Sequence, residues 1–360
     1  MPVLDTQALI QNRVAAIRDF SEGIFPTRDG VSRPIVAEID VSGGVDSAVL
    51  VGLLAKAVGP TRMVAVYQGI HSSDASRDQA QEVCAAFGVQ LVEVDLTDIY
   101  SDLIKTMKAA LVKAYGDTLT AEELEQRLAQ DPTILGSIRS TVRAPVGRGF
   151  NRIMGGGIRY GTGNECEDRW TRFFQKGGDG EVDCNPIAML SKGEVYQLAL
   201  ALGVPTSIIT ARPTPDLWGT GDAHTDEDEF GNYFGFNGPD YGQTFYSYID
   251  AETGAYSRVG LIERTARWLD EPCDETCTFG ELWFDRGLST ADQREVLDRA
   301  TDGASAALAG LDGALIEKLL LAARRIESMT RHKMNPNCPT LGERHELLAK
   351  NILTDTLPEV

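Results

Sequence analysis

The residues best suited to chemistry lie together at 42–47, in the pattern Ser-Gly-Gly-Val-Asp-Ser. Two adjacent glycines let backbone N–H groups turn towards an anion, because no Cβ blocks its approach. Ser42 and Ser47 offer hydroxyl donors, and Asp46 offers a carboxylate to a phosphate-bound Mg²⁺. A helix cap after a glycine turn would explain one Ser or Asp but not the whole pattern. The pattern therefore predicts a phosphate-binding loop. It is not a Walker A loop, since the sequence contains no G-x-x-x-x-G-K-[ST].

Such a loop needs a buried strand before it and a helix after it. The apolar run at 34–41 predicts the strand, and residues 46–58 predict a helix that ends at Gly59-Pro60. Two further strands and the helix between them are expected at 62–67, 89–94 and 76–87. Strands that alternate with helices indicate an α/β fold with a doubly wound parallel sheet. An anion in the loop would then lie at the positive end of the helix dipole.

The rest of the chain is mostly helical in pattern. Helices are expected at 5–21, 98–130, 137–154 and 190–205, and helical patterning returns over 261–352. Residues 219–260 carry few helix signals but many aromatic residues, so this stretch is expected to be ordered and irregular.

Composition narrows the choice of partners. The formal net charge of −19 repels phosphate backbones and anionic lipids, so we expect neither nucleic acid nor membrane as a partner. No apolar run approaches the roughly 20 residues of a membrane span, and the N-terminus lacks a signal-peptide pattern. Six scattered cysteines predict reduced thiols and a cytoplasmic location, with Cys273 and Cys277 as loop thiols rather than metal ligands.

Further motifs connect the phosphate loop to a known family. S-G-G-x-D-S after a first strand resembles the pyrophosphatase loop shared by GMP synthetase, asparagine synthetase, tRNA-thiolating enzymes and NAD synthetase. The sequence also resembles NAD synthetase at G-T-G-N-x-x-E (161–167), the F-F-x-K-x-G-D-G loop and its continuation (173–186), L-x-K-x-x-V-x-x-L-A (190–199), P-T-x-D-L (213–217), T-D-E-x-E (225–229) and His332-Lys333. The motifs follow the family's order over 35–230 and again at about 315–336, which is more specific than the loop alone.

This resemblance implies a carbon–nitrogen ligase. NAD synthetases use ATP to adenylate the nicotinate carboxylate of deamido-NAD, and ammonia then displaces AMP to give NAD. The implied ATP-binding residues are Ser42, Gly43, Gly44, Asp46, Ser47, Thr162, Lys192 and Thr214, and the implied Mg²⁺ ligands are Asp46 and Glu167. The implied catalytic residues are Asp179, Asp183 and Lys192, and the implied substrate contacts are Arg143, Asn164, Asp216, His332 and Lys333.

The resemblance also implies an organisation and partners. Residues 1–230 would form the catalytic domain, residues 231–312 an insertion atypical of the family, and residues 313–360 a helical segment that packs back on the catalytic domain. The family is homodimeric. Only about 35 residues precede the first strand, so we expect free ammonia, or ammonia from a separate protein, as the amine source.

Three departures from the family pattern keep other interpretations open. Ser137 and Thr141 replace an Asn and an Arg, so that only Arg143 of that basic motif remains. Glycines at 155–157 replace the apolar residues that usually precede G-T-G-N, so the fourth strand should be short. Residues 231–312 match no motif of the family. The alternatives are an amide ligase of the same scaffold acting on another carboxylate, or a nucleotide-binding regulatory module without catalysis. Taken singly, Lys192 could be a surface lysine, Glu167 a helix cap and Asp179 a turn residue.

Overall fold

The computed structural model describes residues 5–24, 35–131, 133–214, 224–334 and 344–355. Its first part contains α1 (Thr6–Ile24), β1 (Ala37–Asp40), α2 (Val45–Val58), β2 (Met63–Gly69), α3 (Asp74–Ala86), β3 (Leu91–Asp95), α4 (Thr97–Tyr115), α5 (Ala121–Gln130), α6 (Thr133–Ile153), β4 (Ile158–Tyr160), α7 (Glu165–Asp168), α8 (Lys192–Leu202) and α9 (Thr206–Ile209). The second part contains α10 (Asp226–Phe234), β5 (Tyr248–Ile249), β6 (Tyr256–Arg258), α11 (Leu261–Asp270), α12 (Phe279–Trp283), α13 (Thr290–Thr301), α14 (Gly313–Thr330) and α15 (Arg344–Ala349).

The first part is built on a parallel sheet with the strand order β3-β2-β1-β4. The chain moves outward from β1 to β2 and β3, and then returns to place β4 on the other side of β1. Ligand crevices in such sheets form where the strand order reverses, at the carboxyl ends of the strands. The sheet therefore sets a crevice beside β1, and the predicted doubly wound parallel fold is confirmed.

Helices cover both faces of this sheet. Helices α1, α2, α3 and α8 share the larger apolar core with one face. Helix α6 packs on the other face against β1, β2 and β4, and residues of α4 and α6 form a smaller cluster there around Ile70 and Leu96. Strands β1, β2 and β4 are almost wholly buried, which explains why they read as short, continuous apolar runs, whereas β3 at the edge of the sheet is partly exposed.

A second core lies among the helices that follow residue 224. Trp268 and Trp283 are fully buried in it, and side chains from α10 to α14 surround them together with Cys166 and Trp170 of the first part. This core includes Phe230 and Leu315, so it runs across both expected boundaries, 230/231 and 312/313. The helix at Gly313–Thr330 packs in the second core, whereas Leu347 and Leu353 near α15 return to the first.

Two expectations about local structure need correction. Residues 226–234 form α10 rather than irregular chain, because Thr225 and Asp228 make a capping box that starts a helix. Cys273 and Cys277 form a disulfide, so the prediction of two loop thiols is wrong for this pair, while Cys84, Cys166 and Cys184 are free and buried. The short fourth strand is confirmed by the three residues of β4. None of the described helices is long and apolar enough to cross a membrane.

Candidate active site

A cavity of about 610 Å³ opens at the carboxyl ends of the strands, beside β1. The phosphate loop forms one wall, α6 and the 173–179 loop form another, and residues 208–214 close a third side. Of the predicted site residues, the lining includes Ser42, Gly43, Gly44, Asp46, Arg143, Thr162, Glu167, Asp179, Lys192, Thr214 and Lys333. The structure thus brings together segments that lie far apart in the chain.

The phosphate loop is shaped by its own backbone. Gly43 has φ 89°, and a Cβ at this position would lie 2.4 Å from the carbonyl oxygen of Ser76, so only glycine fits here. The N–H of Gly44 donates to Ser42 Oγ at 3.2 Å, and Ser47 Oγ donates to the Gly44 carbonyl at 2.9 Å. Ser47 is buried beneath the loop, where it holds the loop's shape and does not line the cavity.

Three predicted residues meet above this loop. Lys192 Nζ lies 2.6 Å from Asp46 Oδ2 and 3.2 Å from Glu167 Oε1, and its side chain is almost completely buried. Asn164 donates from Nδ2 to the other oxygen of Asp46 at 2.9 Å. The lysine is therefore not a surface residue, because a buried ammonium between two carboxylates is a built site.

Helix starts hold this group in place. Asn164 caps α7 by accepting the N–H groups of Cys166 and Glu167, so its amide serves both the helix and Asp46. Ser191 caps α8 in a capping box with Glu194, which sets Lys192 at the first position of that helix. Glu167 and Lys192 thus both project from the first turn of a helix, where the cap fixes the backbone.

The group around Lys192 contains more acidic than basic side chains. Burial alone would lower the pKa of Lys192, but Asp46 and Glu167 raise it well above its ordinary value, so the ammonium stays charged. Burial raises the pKa of Glu167, and the positive charge of Lys192 offsets this only in part. Burial and the neighbouring carboxylates also raise the pKa of Asp226 to about 7.

The donor set suits a divalent cation. The carboxylates of Asp46 and Glu167 contact the ammonium of Lys192, and that of Asp226 interacts with it electrostatically, so a further positive charge would relieve the repulsion among the carboxylates. Carboxylate oxygens are the ligands that Mg²⁺ prefers. Asp46 and Glu167 therefore fit the predicted metal site.

The two aspartates predicted to be catalytic, Asp179 and Asp183, have different positions. Asp179 lines the cavity, and its Oδ1 accepts from Ser140 Oγ at 2.8 Å and from the N–H of Gln175 at 2.9 Å. Asp183 does not line it, because Oδ2 is held by Arg148 at 2.7 Å and by the backbone N–H of Arg159 at 2.8 Å. Asp183 thus joins α6 to β4 in the structure, and its catalytic role stays a prediction.

The predicted substrate contacts also divide. Arg143 lines the cavity from α6 and donates to the carbonyl of Gln68 at 3.1 Å. Lys333 lines it from the far side, with Nζ 2.6 Å from the carbonyl oxygen of Phe174. His332 is exposed outside the cavity, and its Nδ1 lies 3.0 Å from the carbonyl oxygen of Met329, so its substrate contact stays a prediction. Asp216 lies outside the described residues.

Three residues of the site were not predicted from the sequence: Tyr246 and Asp226, which adjoin the group around Lys192, and Arg159. Tyr246 donates its hydroxyl to Glu167 Oε1 at 2.6 Å, and Asp226 lines the cavity beside Lys192. Arg159 lines the cavity floor and pairs with Asp40. Asp226 stood inside the quoted T-D-E-x-E motif without a role, whereas nothing in the spacing around Tyr246 pointed to the site.

The fold and the site together define a class of protein. A glycine-rich anion loop after β1, at the point where the strand order reverses, with a buried lysine between two carboxylates, is the arrangement of an ATP-dependent enzyme with a pyrophosphatase loop. The family model described as NAD synthase matches residues 35–236. The chain belongs to the NAD synthase family.

Individual relatives agree with this assignment. An NH(3)-dependent NAD(+) synthetase of Thermoplasma volcanium is 32% identical over 222 residues, which cover 61% of this chain and 78% of the relative. One from Halobacterium salinarum is 32% identical over 241 residues, covering 64% of this chain and 74% of the relative. Among solved structures, an NMN synthetase from Francisella tularensis matches with a TM-score of 0.52 at 23% identity, covering 64% of this chain and 82% of that one, a likeness of fold.

Proposed function

We propose that this protein makes NAD from deamido-NAD, ATP and ammonia. The observation that carries the proposal is the buried Lys192 between Asp46 and Glu167, directly above the phosphate loop. In the first step a carboxylate oxygen of the nicotinate attacks the α-phosphorus of ATP, and the bond to the β-phosphate breaks to release pyrophosphate. In the second step the nitrogen of ammonia attacks the acyl carbon, gives up a proton, and AMP leaves.

The triphosphate is held by the loop and by Lys192. The N–H groups of the 42–47 loop and the start of α2 attract the phosphates, with Ser42, Gly43 and Gly44 at the cavity wall. Lys192 acts as a point cation on charge that develops as pyrophosphate departs. Asp46 and Glu167 would hold Mg²⁺, which neutralises the polyphosphate when bound. Thr162 and Thr214 supply hydroxyl contacts to the nucleotide.

The ammonia site lies near the 173–179 loop. Asp179 faces the cavity there, and its carboxylate favours ammonium on entry and takes the proton released when ammonia attacks. Arg143 and Lys333 offer positive charge to the dinucleotide from two sides of the cavity. Asn164 orients Asp46, and we keep Asp216 as a proposed contact to deamido-NAD. The amine source is free ammonia or a separate protein that delivers it.

We also propose that the protein is a homodimer. One face of α4 carries an exposed apolar stripe with a spacing of four residues, so its members lie on one side of the helix. The stripe consists of Ile99, Leu103, Met107, Leu111 and Tyr115, each between 37% and 59% exposed. A second copy that presents the same stripe would bury both. Sedimentation of Leu103→Glu/Met107→Glu should give a monomer at concentrations where the unchanged protein is a dimer. An unchanged sedimentation coefficient would contradict this interface.

The activity is tested directly with purified protein. Incubation with ATP, Mg²⁺, ammonium chloride and deamido-NAD should yield NAD and AMP in equal amounts, measured by chromatography. Asp46→Asn serves as the matched loss-of-function control. Absence of NAD and AMP in the unchanged protein would contradict the proposal.

Two parallel incubations address the open alternatives. Replacing deamido-NAD with nicotinate mononucleotide tests another carboxylate, a choice motivated by Ser137 and Thr141 and by the Francisella protein described as an NMN synthetase. Amidation of the mononucleotide alone would move the proposal to that substrate. Tight ATP binding without AMP formation on either substrate would favour a regulatory module.

A further inference from the structure

Residues 231–312 reach the cavity at a single described position, Tyr246. Its side chain is 1% exposed, and its hydroxyl donates to Glu167 Oε1 at 2.6 Å. Lys192 Nζ lies 4.5 Å from the centre of its ring. Tyr246 thus touches both Glu167 and Lys192, the catalytic pair, with its hydroxyl on the first and its ring on the second.

The two contacts of Tyr246 fix the orientation of Glu167 and Lys192. The hydroxyl of Tyr246 and the ammonium of Lys192 both bind Oε1 of Glu167, so these two hydrogen bonds fix the carboxylate and neither uses Oε2. A carboxylate held in this way presents its second oxygen in a defined direction, which is what a metal ligand requires. The ring below Lys192 attracts the ammonium through its negative face, so the lysine is held on a third side.

The backbone of Tyr246 is itself held firmly. Glu227 accepts the N–H of Phe245 at 2.7 Å and that of Tyr246 at 2.9 Å, one with each oxygen. Gly260 packs so closely that a Cβ there would lie 2.3 Å from the carbonyl carbon of Tyr246. The tyrosine therefore cannot move away from the site without breaking the contacts that Glu227 and Gly260 make with its backbone segment.

Other residues of the same segment support the neighbours of the catalytic pair. Arg267 binds both oxygens of Glu165, at 2.8 and 3.3 Å, two positions before Glu167. The ring of Tyr256 fills the space beside Gly193, where a Cβ would lie 2.4 Å from it, next to Lys192. The segment thus backs α7 and α8 at the turns that carry the reactive side chains.

We propose that Tyr246 is a positioning residue for the metal–ATP site, so that residues 231–312 complete the catalytic machinery instead of merely enlarging the protein. The hydroxyl orients Glu167 towards the cation, and the ring seats Lys192. This inference rests on the proposed function in so far as ATP with a divalent cation is the ligand.

The test compares two substitutions that each remove one buried tyrosine hydroxyl from the full-length protein. Tyr246→Phe removes the hydrogen bond to Glu167 and keeps the ring. The matched control, Tyr160→Phe, removes a hydrogen bond of 2.8 Å to Ser21 that points to α1, away from the cavity. The readout is the dissociation constant of Mn²⁺, titrated by electron paramagnetic resonance in the presence of a nonhydrolysable ATP analogue.

We expect Tyr246→Phe to bind Mn²⁺ about tenfold more weakly, as is usual when a partner behind a metal ligand is removed, and Tyr160→Phe to stay within twofold of the unchanged protein. In the NAD assay, kcat/KM for ATP should fall by a similar factor, with the KM for deamido-NAD unchanged. Equal Mn²⁺ affinity in Tyr246→Phe and the unchanged protein would overturn the inference.

Two further results keep the test decisive. If Tyr246→Phe does not fold, Glu227→Gln replaces one of the two oxygens that hold the Tyr246 segment, and it must weaken Mn²⁺ binding in the same direction or the inference fails. The unchanged protein separates this inference from the proposed function. NAD formation with no response to Tyr246→Phe overturns only the role of Tyr246, whereas a tenfold Mn²⁺ effect without NAD formation overturns only the reaction.

Discussion

The phosphate loop and the group around Lys192 face the same cavity but are built in opposite ways. The loop is six consecutive residues, and its internal hydrogen bonds join Ser42, Gly44 and Ser47 to one another. The group around Lys192 joins side chains separated by as many as 146 positions, as for Lys192 and Asp46. The loop offers backbone N–H groups, whereas the group offers charges.

The difference predicts two kinds of sensitivity. The phosphate loop binds through its backbone, so it should be sensitive to an added methyl group that takes up space and insensitive to the charge of a neighbouring side chain. A buried cluster of charges is limited by compensation, because removal of one member leaves the others unpaired in a poorly solvated place. Substitutions in the phosphate loop and in the group around Lys192 should therefore change stability and activity in different ways, and equal changes at the two places would contradict this difference.

The largest effect should come from the buried ion pair behind the cluster. Arg267→Met removes the guanidinium from Glu165, which is fully buried, and should lower the free energy of unfolding by about 3–5 kcal/mol in urea titrations. The control Arg294→Met breaks exposed pairs with Asp298 and Glu317 and should cost less than about 1 kcal/mol. A loss as small as the control's would mean that Glu165 finds enough compensation from its other arginines.

The next effect concerns the reaction itself. Lys192→Met removes the cation between Asp46 and Glu167, and kcat/KM for ATP should fall by about 10²–10³-fold in the NAD assay. Lys318→Met, which changes an exposed lysine near Tyr241, should leave the rate unchanged. Activity within threefold of normal in Lys192→Met would exclude the lysine from phosphate stabilisation.

A smaller effect tests the loop. Gly44 has φ −77°, and a Cβ there would meet nothing closer than Ser42 Oγ at 3.4 Å, so Gly44→Ala should keep its stability and raise the KM for ATP by about tenfold through crowding of the cradle. Gly43→Ala forces a left-handed alanine against Ser76 and should instead lower stability by about 1–2 kcal/mol or more. Thermal unfolding and ATP titration of the two variants distinguish the effects. Identical behaviour would contradict them.

The smallest effect is a dependence of stability on pH. The pKa of Asp226 is raised to about 7, so between about pH 4 and pH 7 the folded protein binds a proton that the unfolded chain has released. The free energy of unfolding should therefore fall as the pH rises through this window. Asp226→Asn should make that slope smaller and be more stable by about 1 kcal/mol at pH 8 without ligands, whereas Asp19→Asn, at an exposed position of α1, should not. Parallel urea titrations at pH 4 and pH 8 decide the point.

Short-range patterns in the sequence predicted most of the first part of the molecule. Buried parallel strands read as apolar runs and helices as periodic ones, so β1 to β3 and the phosphate loop lay close to their expected positions. Asp46, Glu167 and Lys192 were expected at one site because three motifs suggested them, and the structure brings them together.

The remainder depended on contacts that no spacing encodes. Tyr246 reaches Glu167 across 79 positions, through a fold of the chain between α10 and α11 that has no periodic signal. Asp183 stood in the expected motif, but Arg148 of α6 lies across from it and holds its carboxylate away from the cavity. A sequence motif specifies which residue types are available, and tertiary neighbours decide which of them face the substrate.

The position of Arg344 has a consequence for how the molecule is made. This arginine, at the start of α15, donates to both oxygens of Glu194 and lies 3.6 Å from Glu165, so it bridges the two helices on which Lys192 and Glu167 stand. On the ribosome, a nascent chain that has emerged as far as α14 already holds the four strands and the helices of the second core, but it lacks this clamp and the contribution of Leu347 and Leu353 to the first core. The site should thus reach its final geometry only after α15 has left the ribosome and Arg344 has joined α7 and α8.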